Sequence, residues 1–245
     1  MEQNGRKTVK PWWILVGGRR RLGRELALAL APDHNLVLTG ASSWDGETHW
    51  ISELAKQTQV RCLVWDASNP ALVPTMMADL AALGTAGIQP NCAVLVAGSF
   101  PKEPLGTWDP AGLEATWRLN LTFPLLAAQV LAPALADGAC LQLLLDTAIH
   151  KPFLQRLPYS VAKTGLAALV PGLARLLAPR VRVVGHALGT VLLAEHDADP
   201  AWLAAHSLLQ RLGTPEDLAR ALRFAADSPY LTGEILTLDG GTRLV

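Results

Sequence analysis

Short apolar runs, rich in β-branched residues and leucine, alternate along the chain with longer stretches whose apolar residues recur at helical spacing. Strand-like runs fall at 12–16, 35–39, 60–65, 93–97, 140–145, 181–186 and 235–238. Helical patterns occupy 21–31, 49–57, 72–83, about 113–135, about 159–177 and 215–226. This alternation predicts an α/β fold: a doubly wound parallel sheet of about seven strands, flanked by helices on both faces. Right-handed crossovers then bring ligands to the carboxyl ends of the strands. No internal repeat, low-complexity tract or linker appears, so 1–245 reads as a single domain. Between Gly189 and Gly213 the alternation stops. With His196, Pro200, Trp202 and His206, the segment around 190–212 reads as a lid-like insertion.

Composition narrows the classes. Half of the 245 residues are hydrophobic and 17% are charged, enough apolar material for a sizeable core. Lys+Arg and Asp+Glu are both 21, a formal charge of zero, which gives no footprint for nucleic acid or an anionic membrane. Cys62, Cys92 and Cys140 lie far apart, and no metal-type spacing links them to the six histidines, so no metal is expected. Unpaired cysteines and an apolar run at 12–16 too short for a signal peptide or membrane span suggest a soluble, cytoplasmic protein.

The first chemistry follows the first strand, at Gly17-Gly18-Arg19-Arg20-Arg21-Leu22-Gly23. Gly17 suits the tight turn out of the strand, and Gly23 suits close packing of a helix on the sheet. The new helix aims free N–H groups at a phosphate. Three successive arginines repel one another unless an anion lies among them. The second strand ends in Thr39-Gly40-Ala41-Ser42-Ser43, with no acid before Asp45. A carboxylate there normally receives a ribose 2′-OH. Its absence beside arginines favours a 2′-phosphate, hence NADPH over NADH, with Arg20 the main candidate and Ser42 and Ser43 as hydroxyl donors.

Tyr159 opens a helix just after Pro158, and Lys163 lies four residues on, on the same face. A nearby ammonium is expected to lower the phenol pKa towards neutrality. Asp146 ends the fifth strand, where ligands bind. Asn120 lies in the 113–135 helix four residues before Pro124, which has no N–H to offer the Asn120 carbonyl, so a kink and a carbonyl able to hold water are expected there. Pro171 is expected to kink the 159–177 helix or end its first half.

Taken in order, the loop at 17–23, Asp66, Ala97-Gly98, Asn120, position 146, Tyr159/Lys163, Gly189 and Leu231-Thr232-Gly233 through Asp239-Gly240-Gly241 resemble the short-chain dehydrogenase/reductase family over the whole chain. The resemblance implies a Rossmann-type single-domain fold and a proton-donating Tyr159. It makes Lys163 a ribose-holding, tuning partner and has Asn120 position a relay water through its main chain. It sets Asp66 and Ala67 by the adenine, and Gly17, Arg21, Leu22, Gly23, Ala97, Gly98, Gly189 and Val191 along the cofactor. The family usually has serine at position 146. Aspartate there, arginine at 21, Pro124 and Ala97-Gly98-Ser99-Phe100 resemble the pteridine reductase-like subgroup. That implies C=N reduction of a pterin or dihydrofolate, with Phe100 stacking a flat ring, Arg21 near both cofactor and substrate, and Asp146 cycling protons. Val16, Leu95-Val96, Val184 and Leu188 depart from the family's usual polar or proline residues. A homo-oligomer, tetramer or dimer, is implied by the resemblance. A carbonyl reductase acting on a 3-oxoacyl thioester or other ketone, and a non-catalytic NADP-binding scaffold, are the competing readings.

Overall fold

The computed structural model describes residues 9–193 and 199–245. His196, with the rest of 194–198, lies outside them. Seven parallel strands form one sheet: β1 Trp12–Val16, β2 Asn35–Gly40, β3 Val60–Val64, β4 Cys92–Leu95, β5 Ala139–Asp146, β6 Val181–Leu188 and β7 Ile235–Leu238. Their order is β3-β2-β1-β4-β5-β6-β7. The connection from β3 crosses over β2 and β1 to reach β4, and a topological switch point opens between β1 and β4. Ligand crevices form there in doubly wound sheets.

Period-two alternation in β1 explains the layering. Trp13 and Leu15 face one side, where Leu26 and Leu30 of α1 (Arg21–Leu30) and Leu218 and Leu222 of α8 (Pro215–Asp227) complete a core. Ile14 and Val16 face the other, packing with α3 (Leu72–Thr85), α5 (Phe123–Ala134) and α6 (Leu157–Leu177). Leu15, Leu36 and Leu38 are fully buried; each such side chain stabilises the fold by about 1.5–3 kcal/mol relative to exposure. α8 starts at a capping box in which the Thr214 hydroxyl accepts from Asp217 N and the Asp217 carboxylate accepts from Thr214 N.

Three sequence expectations change in physical detail. The strand expected at 93–97 stops at Leu95, because the N–H groups of Val96 and Ala97 both donate to Val16 O, at 2.9 and 2.8 Å, which ends the regular ladder. The single helix expected at 113–135 begins earlier, as α4 (Pro110–Trp117) capped by the Asp109 carboxylate, and reaches α5 through a π turn at Arg118–Thr122. Pro171 neither ends nor divides α6, which runs unbroken through it over 21 residues. One lost N–H at mid-helix is outweighed by packing on both sides: Leu166, Val170 and Ala174 are buried against the sheet. In the described part of 190–212, α7 (Pro200–Ala205) is capped by Asp199 Oδ1.

Candidate active site

The phosphate loop is built by close approach. A Cβ on Gly17, whose φ is +97°, would lie 2.7 Å from Ala97 N, and one on Gly23 would lie 2.0 Å from Gly17 O. Arg21, at φ 49°, takes a left-handed conformation that glycine adopts freely; for a residue with a Cβ this costs about 1–2 kcal/mol. Its Nη2 donates to Leu193 O at 3.0 Å, tying the loop to the segment after β6. Leu22 follows as the second residue of α1.

The arginine run divides its roles differently from the sequence expectation. Arg19, not Arg20, faces the end of β2. Its aliphatic stem lies where a Cβ on Gly40 would stand, 2.7 Å from Cδ. Its guanidinium donates to Ser42 Oγ and lies 6.0 Å from the Trp44 ring centroid. Arg20 is 71% exposed at its side chain and reaches Glu47 Oε1 at 3.8 Å; Arg19 Nε reaches the same oxygen at 3.6 Å. Ser43 turns its hydroxyl to Asp45. Arg19 Nε is buried without a hydrogen bond and has Glu47 Oε1 as an ion-pair contact, while the outer guanidinium is turned to Ser42. The sequence could not separate Arg19 from Arg20, because the direction of each side chain depends on the turn. Asp66 Oδ1 caps Ser68 N at 2.9 Å, and Ala67 packs at the edge of the core. Gly189 meets the β7 end closely, a Cβ there lying 2.8 Å from Asp239 Cα, while Val191 packs under Gly213.

Strand β5 and helix α6 assemble the candidate catalytic cluster. Tyr159 donates its hydroxyl proton to Asp146 Oδ2 at 2.9 Å, and Asp146 Oδ1 accepts from Ala148 N at 2.8 Å. Lys163 is buried and donates to Leu144 O at 3.0 Å, with its Nζ 5.7 Å from the Tyr159 ring centroid. Burial raises the Asp146 pKa, against the lowering effect of its hydrogen bonds and of Lys163. Burial likewise pushes the Lys163 ammonium down to about 8, partly offset by Asp146.

The expectation that Lys163 lowers the Tyr159 pKa is corrected. Burial, then the Asp146 carboxylate, holds the phenol well above its ordinary value, and Arg156 is the cation acting in the lowering direction. Lys163 is turned to a main-chain carbonyl instead. Tyr159 is therefore a protonated donor at neutral pH.

Asn120 is fully buried at the centre of the π turn. Its Oδ1 accepts from Ser99 N at 3.2 Å, and its Nδ2 donates to Ser99 Oγ at 3.1 Å and Thr116 O at 3.0 Å. A Cβ on Gly98 would meet Asn120 Oδ1 at 2.9 Å and Lys163 Nζ at 3.7 Å. The kink expected from Pro124 thus appears as one wide turn, and the side chain fastens it to the loop after β4. Phe100, on that loop, points at Tyr159: their rings meet edge to face with centroids 4.8 Å apart. Phe100 is 37% exposed, in the cleft rather than the core. Arg156, which the sequence reading did not single out, lies over the Phe100 ring. Its position just before Pro158 and Tyr159 was the available signal.

A glycine-cradled crevice at the switch point, beside a buried Tyr–Asp–Lys cluster, defines a dinucleotide-binding α/β protein with a proton-transfer site. The family model described as enoyl-(acyl carrier protein) reductase matches residues 18–243. The chain belongs to the short-chain dehydrogenase/reductase family. Tropinone reductase-like 3 of Erythroxylum coca is 34% identical over 138 residues, 53% of this chain and 54% of that protein. The match thus spans about half the length of that relative. L-rhamnose 1-dehydrogenase (NADP(+)) of Thermoplasma acidophilum is 25% identical over 243 residues, 93% of this chain and 94% of that protein. A blue fluorescent protein from a metagenomic library, solved in complex with NADPH, superposes with a TM-score of 0.84 at 26% identity, covering 96% of this chain and 98% of the other.

Proposed function

We propose that the protein is an NADPH-dependent reductase that adds hydride and a proton across a C=N bond in a flat, pterin- or dihydrofolate-like ring. The observation that carries this reading is the hydrogen bond from Tyr159 to Asp146 Oδ2. A serine at position 146 could only polarise a carbonyl, whereas a carboxyl group of raised pKa beside a phenol can pass protons. Phe100 in the same cleft suits a planar substrate.

The residues fit NADPH. The Arg19 guanidinium and Ser42 Oγ converge at the end of β2, where a 2′-phosphate would lie. Gly17, Gly23 and Gly98 let the loops after β1 and β4 pack tightly along the edge where the cofactor would lie, with Lys163 Nζ beside Gly98. Relatives whose names specify NADP(+) or NADPH support the same choice. When bound, NADPH supplies hydride to the carbon of the reducible bond.

The chain's own groups handle the proton. Tyr159 donates its proton to the substrate nitrogen, and Asp146, whose pKa burial raises, passes a proton taken up from solvent to the phenolate across their 2.9 Å contact. Lys163 offsets the negative charge that passes between them. Asn120 holds the loop after β4, so that Gly98 and Phe100 keep their distances from Lys163 and Tyr159.

A carbonyl reductase is the second reading, favoured by the relatives named for reductase and sugar dehydrogenase chemistry. Here protonated Asp146 donates to the carbonyl oxygen in place of serine. NADPH oxidation with dihydrobiopterin, dihydrofolate and an acetoacetyl thioester separates the two; turnover confined to the thioester sinks the C=N reading. Tyr159→Phe is expected to lower turnover about 10²–10⁴-fold while NADPH still binds. Turnover on no substrate at all would favour an NADP-binding scaffold. A homo-oligomer is supported by the exposed apolar side chains Trp117, Leu125 and Val161 on α4–α6. A cytoplasmic setting is supported by three free cysteines.

A further inference from the structure

One cation in the cleft takes no part in the steps above. The Arg156 guanidinium lies 3.8 Å from the centroid of Phe100, and its Nη1 donates to the Phe100 carbonyl. Phe100 in turn packs on Tyr159. The Arg156 backbone is anchored on three sides. Its N–H donates to Phe153 O at 2.9 Å, its carbonyl accepts from Ser160 N and Oγ, and it bridges Glu103. Yet among the described residues no carboxylate pairs with its side chain. Glu103, its backbone neighbour, turns Oε1 to Thr116 instead. Asp146, the carboxylate nearest the chemistry, is engaged by Tyr159 and Ala148.

A guanidinium laid on an aromatic face is held flat, partly stripped of water, with its remaining N–H groups pointing outward in the plane. That is the geometry that grips a planar carboxylate. A neutral ring that needs the Phe100 face must compete with Arg156 for it; an acidic substrate recruits Arg156 instead. We propose that Arg156 is a specificity-determining residue that binds a carboxylate carried by the substrate beside its reducible bond. The inference rests on the cleft assignment above but holds for a C=N or a C=O substrate alike.

Two matched pairs test it: 6-carboxy- against 6-hydroxymethyl-7,8-dihydropterin, and 4-formylbenzoate against its methyl ester. The readout is the acid-to-neutral ratio of kcat/KM in the wild type, Arg156→Leu and Arg156→Lys. The wild type is expected to favour the acid by about 10- to 100-fold, the worth of a charge-assisted hydrogen bond. Arg156→Leu should bring the ratio near one, and Arg156→Lys should keep part of it. In parallel, binding of pterin-6-carboxylate to the NADP⁺ complex, in which no hydride is available, should weaken in Arg156→Leu, while binding of pterin-6-methanol should not. Thermal midpoints of both variants check the fold.

Acid preference in the aldehyde pair with no turnover of either dihydropterin would leave Arg156's role standing and end the C=N reading. If nothing turns over, the binding pair decides. A ratio unchanged by Arg156→Leu overturns the proposal. So does a shift of the pH–rate profile identical for acid and neutral members, because Arg156 would then act on Tyr159 alone.

Discussion

Replacing Lys163 with methionine isolates the cost of burying its ammonium. The side chain is 6% exposed, and burial pulls its pKa from 10.5 to about 8. At about 1.4 kcal/mol per unit, this amounts to roughly 3 kcal/mol against folding whenever the lysine must enter the core charged. The unfolded chain binds more protons than the native one between pH 8 and 10.5, so stability rises with pH across that window. The penalty is complete below pH 8 and is relieved above it. Methionine fills similar space and carries no charge, so Lys163→Met should lack this rise. Tyr159, held well above 10 in the fold, contributes a loss of stability near pH 10; that loss is common to both proteins and cancels in their difference. Urea unfolding of the cofactor-free wild type and Lys163→Met, at half-unit steps from pH 7 to 9.5, reads the effect. The wild type should gain about 2 kcal/mol on the variant over this range. Parallel stability curves, agreeing within about 0.5 kcal/mol, would refute the claim that Lys163 is buried charged at neutral pH.

Gly23→Ala should open the phosphate loop, because its Cβ would lie 2.0 Å from Gly17 O; NADPH binding by fluorescence titration should be lost and the thermal midpoint should fall. Arg19→Ala should weaken 2′,5′-ADP binding, measured calorimetrically, by about 10- to 100-fold. Arg20→Ala, whose side chain is 71% exposed, should change it by less than about threefold. Gln142→Leu removes the partner that His186 Nε2 meets at 2.7 Å and the donor to Leu222 O at 3.0 Å. Unfolding stability should drop by about 2–3 kcal/mol without a change in NADPH affinity.

The strands were legible because a sheet buried on both faces imprints itself as short apolar runs, and every predicted run became a strand. Helix α1 was legible from its Ala/Leu pattern, and α6 from Pro158 at its start. What local pattern could not show was competition settled at long range. Two donors converging on Val16 O ended β4 early, and packing carried α6 through Pro171 against its backbone preference. At the site, Tyr159, Lys163 and Asp146 were visible through spacing and strand position. Arg156 was not, because its partner Phe100 lies 56 positions away on another loop. Glu47, which gathers Arg19 and Arg20 on one oxygen, was hidden in the same way. The titration of Tyr159 was misjudged for a related reason: the i+4 spacing puts Lys163 on the right face but says nothing of Leu144 O, which accepts its hydrogen bond.

The order of the seven strands has a consequence for how such a protein can change. The arginine end of the crevice is carried by β1, β2 and α1, and the proton-handling end by β5 and α6. The two sides meet along the β1–β4 ladder, where Ala97 N also donates to Val16 O, and through Arg21 Nη2 on Leu193 O. The side chains at the two ends meet different neighbours: Arg19 meets Ser42, Glu47 and Trp44, whereas Tyr159 meets Asp146 and Phe100, so an exchange at one end should leave the other in register. The backbone is continuous across the switch point, and on the proposed reading what is separate is the choice of side chains: those for the reductant at one end, those for the substrate at the other.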